Sequence, residues 1–370
     1  MKVLMLGNGF DLYHNLLSDY NDFMTIGEYL SDKYRLIMLD EELENKNIYS
    51  ELIDLTEKNE AIRKKLLVYK KAYQKTTINK DEYGSFLEEL KSNCWFQYFL
   101  DIKNRNGWVS LENQVQTTLS EFRKPYPSGV DAFLQAAKEK NIYSETVIKH
   151  TRSYFFQNEE FDDFIYNQYN QFVEILKLYL KIFVNNVLPN ICNLYIFRND
   201  HFKNAEYILT FNYTDTYACL YDSSISIIHI HGNLGGEIIL GINSDEYDNA
   251  GINDARFIKY KKYYQRITKH TLSDLQKLIH RLTTNSFEQN GLFIIGHSLD
   301  SSDGDIITAI FELFDCITIY FHTDEALDKY VKNLKFIFGS KELSKMTLSQ
   351  KVIFKKLPQN EFMEYGYDQL

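Results

Sequence analysis

The sequence predicts an α/β fold in which a parallel sheet is interrupted by a large helical insertion. Three observations predict it. From about residue 205 onward, short Ile-rich runs of strand length alternate with helical stretches. A similar apolar run opens the chain at residues 1–6 and ends on Gly7-Asn8-Gly9. Between the two, the chain is glycine-poor and keeps helical spacing. The expected division is a core made of residues 1–30 and 205–370, with 31–204 as a mainly helical insertion.

The elements follow in order. Residues 1–6 read as a strand, the glycine turn as a β–α connection, and Leu16, Tyr20 and Phe23 as the start of a helical stretch. In the insertion, Trp108, Leu111, Val115, Leu119 and Phe122 share one helical face. Ile165, Tyr169, Phe172, Leu176, Tyr179 and Phe183 mark a long helix. Strands are expected at 207–211, 225–230, 238–242, 292–295 and 317–321, and helices at 272–282, 305–314 and 325–338. Eight of the 16 glycines lie between Gly232 and Gly304, so tight turns concentrate there. Ligands of parallel sheets bind beyond the carboxyl ends of the strands.

Composition narrows the function. The chain is 370 residues long, 44% hydrophobic and 15% aromatic, enough for a sizeable core. No run approaches a membrane span, and nothing at the start reads as a secretory signal. The net charge of −10 argues against a general nucleic-acid binder. The four cysteines, Cys94, Cys192, Cys219 and Cys316, form no CxxC. They read as reduced core thiols of a cytoplasmic protein, not as a zinc module.

Four motifs sit at expected strand ends. Gly7-Asn8-Gly9-Phe10-Asp11 has the first two glycines of a GxGxxG fingerprint, but Leu12 stands at the third. It suits phosphate at a helix start, and equally an ordinary turn with Asp11 as a cap. Thr210-Phe211-Asn212-Tyr213-Thr214-Asp215 offers an amide for sugar hydroxyls, or an Asx turn capping a helix at 216–220. His229-Ile230-His231-Gly232 places both histidines on one strand face, with Gly232 leaving room beside His231. A general base fits this better than a metal site, for which no third ligand is evident; a structural histidine fits too. Gly296-His297-Ser298-Leu299-Asp300-Ser301-Ser302-Asp303 suits ribose or phosphate, or caps the following helix. It lacks the second glycine of a GxSxG elbow. Trp108 with Glu112, one helical turn apart, reads first as a core Trp beside a solvated Glu.

In this order, the four motifs resemble the AbiH-type bacteriophage abortive-infection family, across the first thirty residues and about 205–305. That family in turn is similar to sirtuin-like NAD-binding proteins. Gly7 and Gly9 match their glycine loop, and Thr210, Asn212 and Asp215 approach their Thr-x-Asn-x-Asp motif with one extra residue. His231-Gly232 matches their catalytic His-Gly, and Gly296 with Ser298 their Gly-x-Ser. The absent cysteine module sets the chain apart from sirtuin deacylases.

The resemblance implies a Rossmann-like (sirtuin-like) core and an antiphage effector that binds NAD and hydrolyses its nicotinamide–ribose bond. Asn212 would hold the ribose hydroxyls and the attacking water, and His231 would act as base. Gly7, Asn8 and Gly9 would cradle the pyrophosphate, with Phe10 and Asp11 completing that loop. Asp215, Gly296 and His297 would join the cofactor site, and Ser298 and Asp303 would contact ribose. No metal is expected. On this reading Gly9→Val weakens NAD binding in a folded protein, whereas His231→Ala spares binding. Two alternatives stand beside it. One is a nucleotide sensor without chemistry, its helical block meeting a partner or phage component. The other is an enzyme acting on another nucleotide or on nucleic acid. A phage-derived trigger and a homo-oligomeric state are compatible with all of these.

Overall fold

The computed structural model describes residues 1–37, 48–56, 59–72, 80–106, 110–122, 133, 159–196, 205–242, 255–284, 289–357 and 363–364. Six parallel strands form the main sheet: β1 (Lys2–Leu6), β2 (Tyr207–Thr210), β3 (Ser226–His229), β4 (Gly291–Ile295), β5 (Cys316–Phe321) and β6 (Val352–Lys356). Their order is β3-β2-β1-β4-β5-β6. This is the order of doubly wound dinucleotide-binding sheets, and the expected Rossmann-like α/β fold is therefore present. β1 lies at the centre, pairing Leu6 with Thr210 on one side and with Ile295 on the other.

Alternation along β1 divides the core. Val3 and Met5 face one side with Leu209, Leu292, Ile294 and Ile317. The helices Ser273–Thr284, Gly304–Leu313 and Asp324–Leu348 cover that side with Leu278, Ile307, Phe311 and Leu334. Leu4 and Leu6 face the other side with Ile208, Ile295, Phe10 and Tyr217. Each fully buried aliphatic side chain contributes about 1.5–3 kcal/mol.

Between β1 and β2 lies a helical block that includes Tyr20–Ile37, Glu60–Ala72, Lys80–Ser92, Cys94–Asn106, Leu111–Glu121 and Glu159–Leu180. Trp95 anchors its centre. The ring packs on Phe99, Phe133, Tyr169 and Tyr260, and the indole N–H donates to the Ile165 carbonyl at 2.8 Å. Leu16 and Leu17, which follow β1, belong to the same cluster, as do Tyr213, Ile238 and Leu240. The block is thus packed onto the loops that leave the carboxyl ends of the strands. No helix among the described residues is long and apolar enough to cross a membrane.

Two expectations fail, and one strand lies outside those expected. Residues 238–242 form no strand: they make only isolated bridges, Gly232 with Ile238 and Ile242 with Lys261. Side chains satisfy this backbone instead. Gln265 bonds both the N–H and the C=O of Leu240, and Tyr213 donates to the Ile239 carbonyl. β6 was not expected, because Lys351, Lys355 and Lys356 dilute its short Val-Ile-Phe run. Cys219 and Cys316 are exposed thiols, not core ones, whereas Cys94 is buried; the Cys192 side chain lies outside the described residues.

Candidate functional site

β1 sits where the sheet's winding reverses, so the crevice beyond its carboxyl end is the expected ligand position. Two glycine turns form its floor. The Gly7 N–H donates to the Ile295 carbonyl at 3.2 Å, and the Gly9 N–H to the Gly296 carbonyl at 2.8 Å. The backbones touch. A Cβ on Gly9 would lie 2.7 Å from the Gly296 oxygen, and one on Gly7 2.5 Å from the His297 Cα. Gly296 has φ +68°, and its Cβ would meet the Phe10 nitrogen at 2.2 Å. These glycines are needed first for turn-to-turn packing. Gly9→Val is therefore expected to destabilise the protein by about 1–3 kcal/mol through overpacking. Thermal denaturation checks this, and an unchanged Tm would contradict it. The variant reports on binding only where its stability matches that of wild type.

Above this floor opens a cleft of about 330 Å³. Gly7, Asn8, Gly9, Asp11, Asn212, His231, Gly296, His297, Ser298 and Asp303 all line it. Phe10 and Asp215 do not. Phe10 is buried in the sheet core against His14, Tyr217 and Tyr221. Asp215 is 52% exposed and accepts from the Asn185 amide at 3.0 Å.

The cleft's charged centre is Asp303, whose side chain is only 7% exposed. Its Oδ1 accepts from His231 Nε2 at 2.9 Å and from Lys262 Nζ at 3.0 Å; Oδ2 lies 3.8 Å from His297 Nε2. Burial opposes its ionisation, but Lys262 and His231 hold the carboxyl well below the usual range. For Lys262, 3% exposed, burial is again outweighed, and Asp303 and Glu112 keep its ammonium above the usual lysine range. Burial pushes His231 below its ordinary value, with Asp303 resisting. A carboxylate accepts, so neutral His231 carries its proton on Nε2. Its Nδ1 makes no hydrogen bond among the described residues. His297 is pushed down to about 4 by burial, and its Nδ1 accepts from the Leu299 N–H at 3.0 Å.

A second network fixes the neighbouring wall. Asn212 Nδ2 donates to the Gly7 carbonyl at 3.1 Å and to Asp11 Oδ1 at 2.9 Å, and Thr214 donates to Asp11 Oδ2 at 2.6 Å. Asp11 thus ties the β1 turn to the β2 turn and does not cap its helix. Burial raises its carboxyl to about 6, against these hydrogen bonds. Both amide protons of Asn212 are committed, which leaves its Oδ1 for a ligand.

The two histidines of the His-Ile-His motif separate. β3 ends at His229, whose Nδ1 donates to the Asn212 carbonyl at 3.0 Å, and the chain turns before His231. Gly232, at φ +77°, makes that turn, since its Cβ would meet the Glu237 oxygen at 1.8 Å. Glu112 is not simply solvated. It lines the cleft, accepts from the Tyr20 hydroxyl at 3.4 Å and lies 4.0 Å from Lys262 Nζ. Trp108 lies outside the described residues. Sequence reasoning missed Lys262, Tyr20 and Tyr213. Lys262 stands in the run Lys259-Tyr260-Lys261-Lys262, which reads as solvated surface.

A family model described as bacteriophage abortive infection AbiH matches residues 3–322. No curated protein and no solved structure matches the chain.

Proposed function

The chain belongs to the AbiH family of bacteriophage abortive-infection proteins, and from this premise and the cleft's chemistry we propose that its defence role is exerted by hydrolysis of NAD. One observation carries the reading: a buried His231–Asp303 pair lies in the crevice at the sheet's reversal point, with His231 Nδ1 unbonded. Asp303 fixes the imidazole tautomer, as a carboxylate does for a catalytic histidine elsewhere. His231 then acts at Nδ1 as base toward water or a ribose hydroxyl. Asn212 Oδ1 can accept from a ribose hydroxyl.

In the reaction the C1′–N bond to nicotinamide breaks and its electron pair leaves with nicotinamide. Water oxygen bonds to C1′, and its proton passes through His231 to solvent. The products are nicotinamide and ADP-ribose. An oxocarbenium-like state resembles that of glycoside hydrolysis, and the low-lying Asp303 carboxylate adds negative charge nearby.

The experiment is release of nicotinamide by the purified protein. Its pH dependence has a definite sign. Burial lowers His231 below 6.5, with Asp303, Lys262, Arg266 and His297 as its charged and titratable neighbours. Only neutral His231 is a base, so kcat/KM is expected to hold at neutral pH and to fall only below pH 6.5. An acid limb centred above 6.5 would remove His231 from this role. A second reading, nucleotide sensing without turnover, is favoured by one observation: Asn212, expected to hold the attacking water, has both amide protons committed within the protein. NAD binding without nicotinamide release would select it.

A further inference from the structure

The ridge made by Gly9 and Gly296 has a second face. On it opens a hollow of about 230 Å³, walled by Tyr13, Tyr320, Tyr330 and His322. Gly9, Gly296, Ser298 and Lys329 line both this hollow and the main cleft. The two are therefore lobes of one groove across the carboxyl ends of β1, β4 and β5. Together they fall within the size range of cofactor sites, about 300–1,000 Å³.

The lobes differ in chemistry. The main lobe holds the buried acid–base cluster around Asp303. The second offers aromatic rings, on whose faces a base stacks regardless of its hydrogen-bonding edge. At their junction stands Lys329, exposed and without an ion pair among the described residues. On a chain of net charge −10, a lone cation between two lobes marks the place for an anion.

We infer that the groove takes a phosphate-bridged dinucleotide end to end. The purine lies in the aromatic hollow, the bridging phosphates lie beside Lys329, and the bond to be cut lies at His231. This rests on the NAD reading and adds a second half to the site, which a mononucleotide leaves empty.

Calorimetry on the full chain with NAD and with nicotinamide mononucleotide tests it. Wild type is expected to bind NAD about tenfold or more tightly than the mononucleotide. Lys329→Ala removes the junction charge from an exposed position, and Ala326→Phe fills the hollow that Ala326 lines. Each is expected to bring the affinity ratio close to one. Equal affinities in wild type, no binding of either nucleotide, or a ratio unchanged in both variants overturns the inference. The two proposals fail separately. Nicotinamide release by a wild type with a ratio near one removes the second lobe and leaves hydrolysis. A ratio that collapses as expected, in a wild type that releases no nicotinamide, removes hydrolysis and leaves the groove.

Discussion

His231→Ala is expected to lower nicotinamide release by about 10²–10⁴-fold, the usual contribution of a positioned general base. The fold should survive, because Asp303 keeps its contact with Lys262 at 3.0 Å. Binding of NAD should persist, since the change removes a proton acceptor and not a charge. Asp303→Asn should fall in the same range, because an amide no longer enforces the Nε2–H tautomer. A His231→Ala protein that releases nicotinamide at the wild-type rate would take the dyad out of the chemistry. Asn212→Ala is a poorer probe. It strips hydrogen bonds from Gly7 and Asp11, so it loosens the turns as well as the ligand contact.

Lys262→Met is the second large effect. It leaves the Asp303 carboxylate buried without the ammonium that bonds it at 3.0 Å. Breaking a buried pair by removing one partner costs about 3–5 kcal/mol. Urea denaturation should show a loss of that size. The double variant Lys262→Met/Asp303→Asn should recover part of it, because the uncompensated charge is gone. Equal losses in the single and double variants would show that Lys262 acts by packing alone.

Much of this arrangement is legible in the sequence, for physical reasons. A strand followed by glycines says that a backbone must come close to something, and Gly7, Gly9, Gly232 and Gly296 each mark such a place. Apolar runs of strand length locate five of the six sheet strands. The sequence does not say what the glycines approach; here Gly7 and Gly9 approach Gly296 and His297, and Gly232 approaches Glu237. Residues 238–242 mislead because Ile238, Leu240 and Ile242, at strand-like spacing, pack into the core of the helical block and not onto a sheet. Lys262 is hidden because a lysine among lysines looks solvated, and only the fold brings two carboxylates to it. Asp303 stands in a Ser-Asp loop whose sequence shows no partner for it, and only the fold brings His231 to 2.9 Å.

The central position of β1 also sets a timetable for synthesis. Its hydrogen-bonding neighbours are Tyr207–Thr210 and Gly291–Ile295. At about 5–20 residues per second on the ribosome, the second of these emerges roughly 15–60 s after β1. The nascent chain carries its first strand without a partner on that side through the interval, and Asp303 arrives later still. Any product cut short before that residue lacks the carboxylate that orients His231. A cleft whose lining runs from Gly7 to Lys329 is thus assembled only once most of the chain has been made.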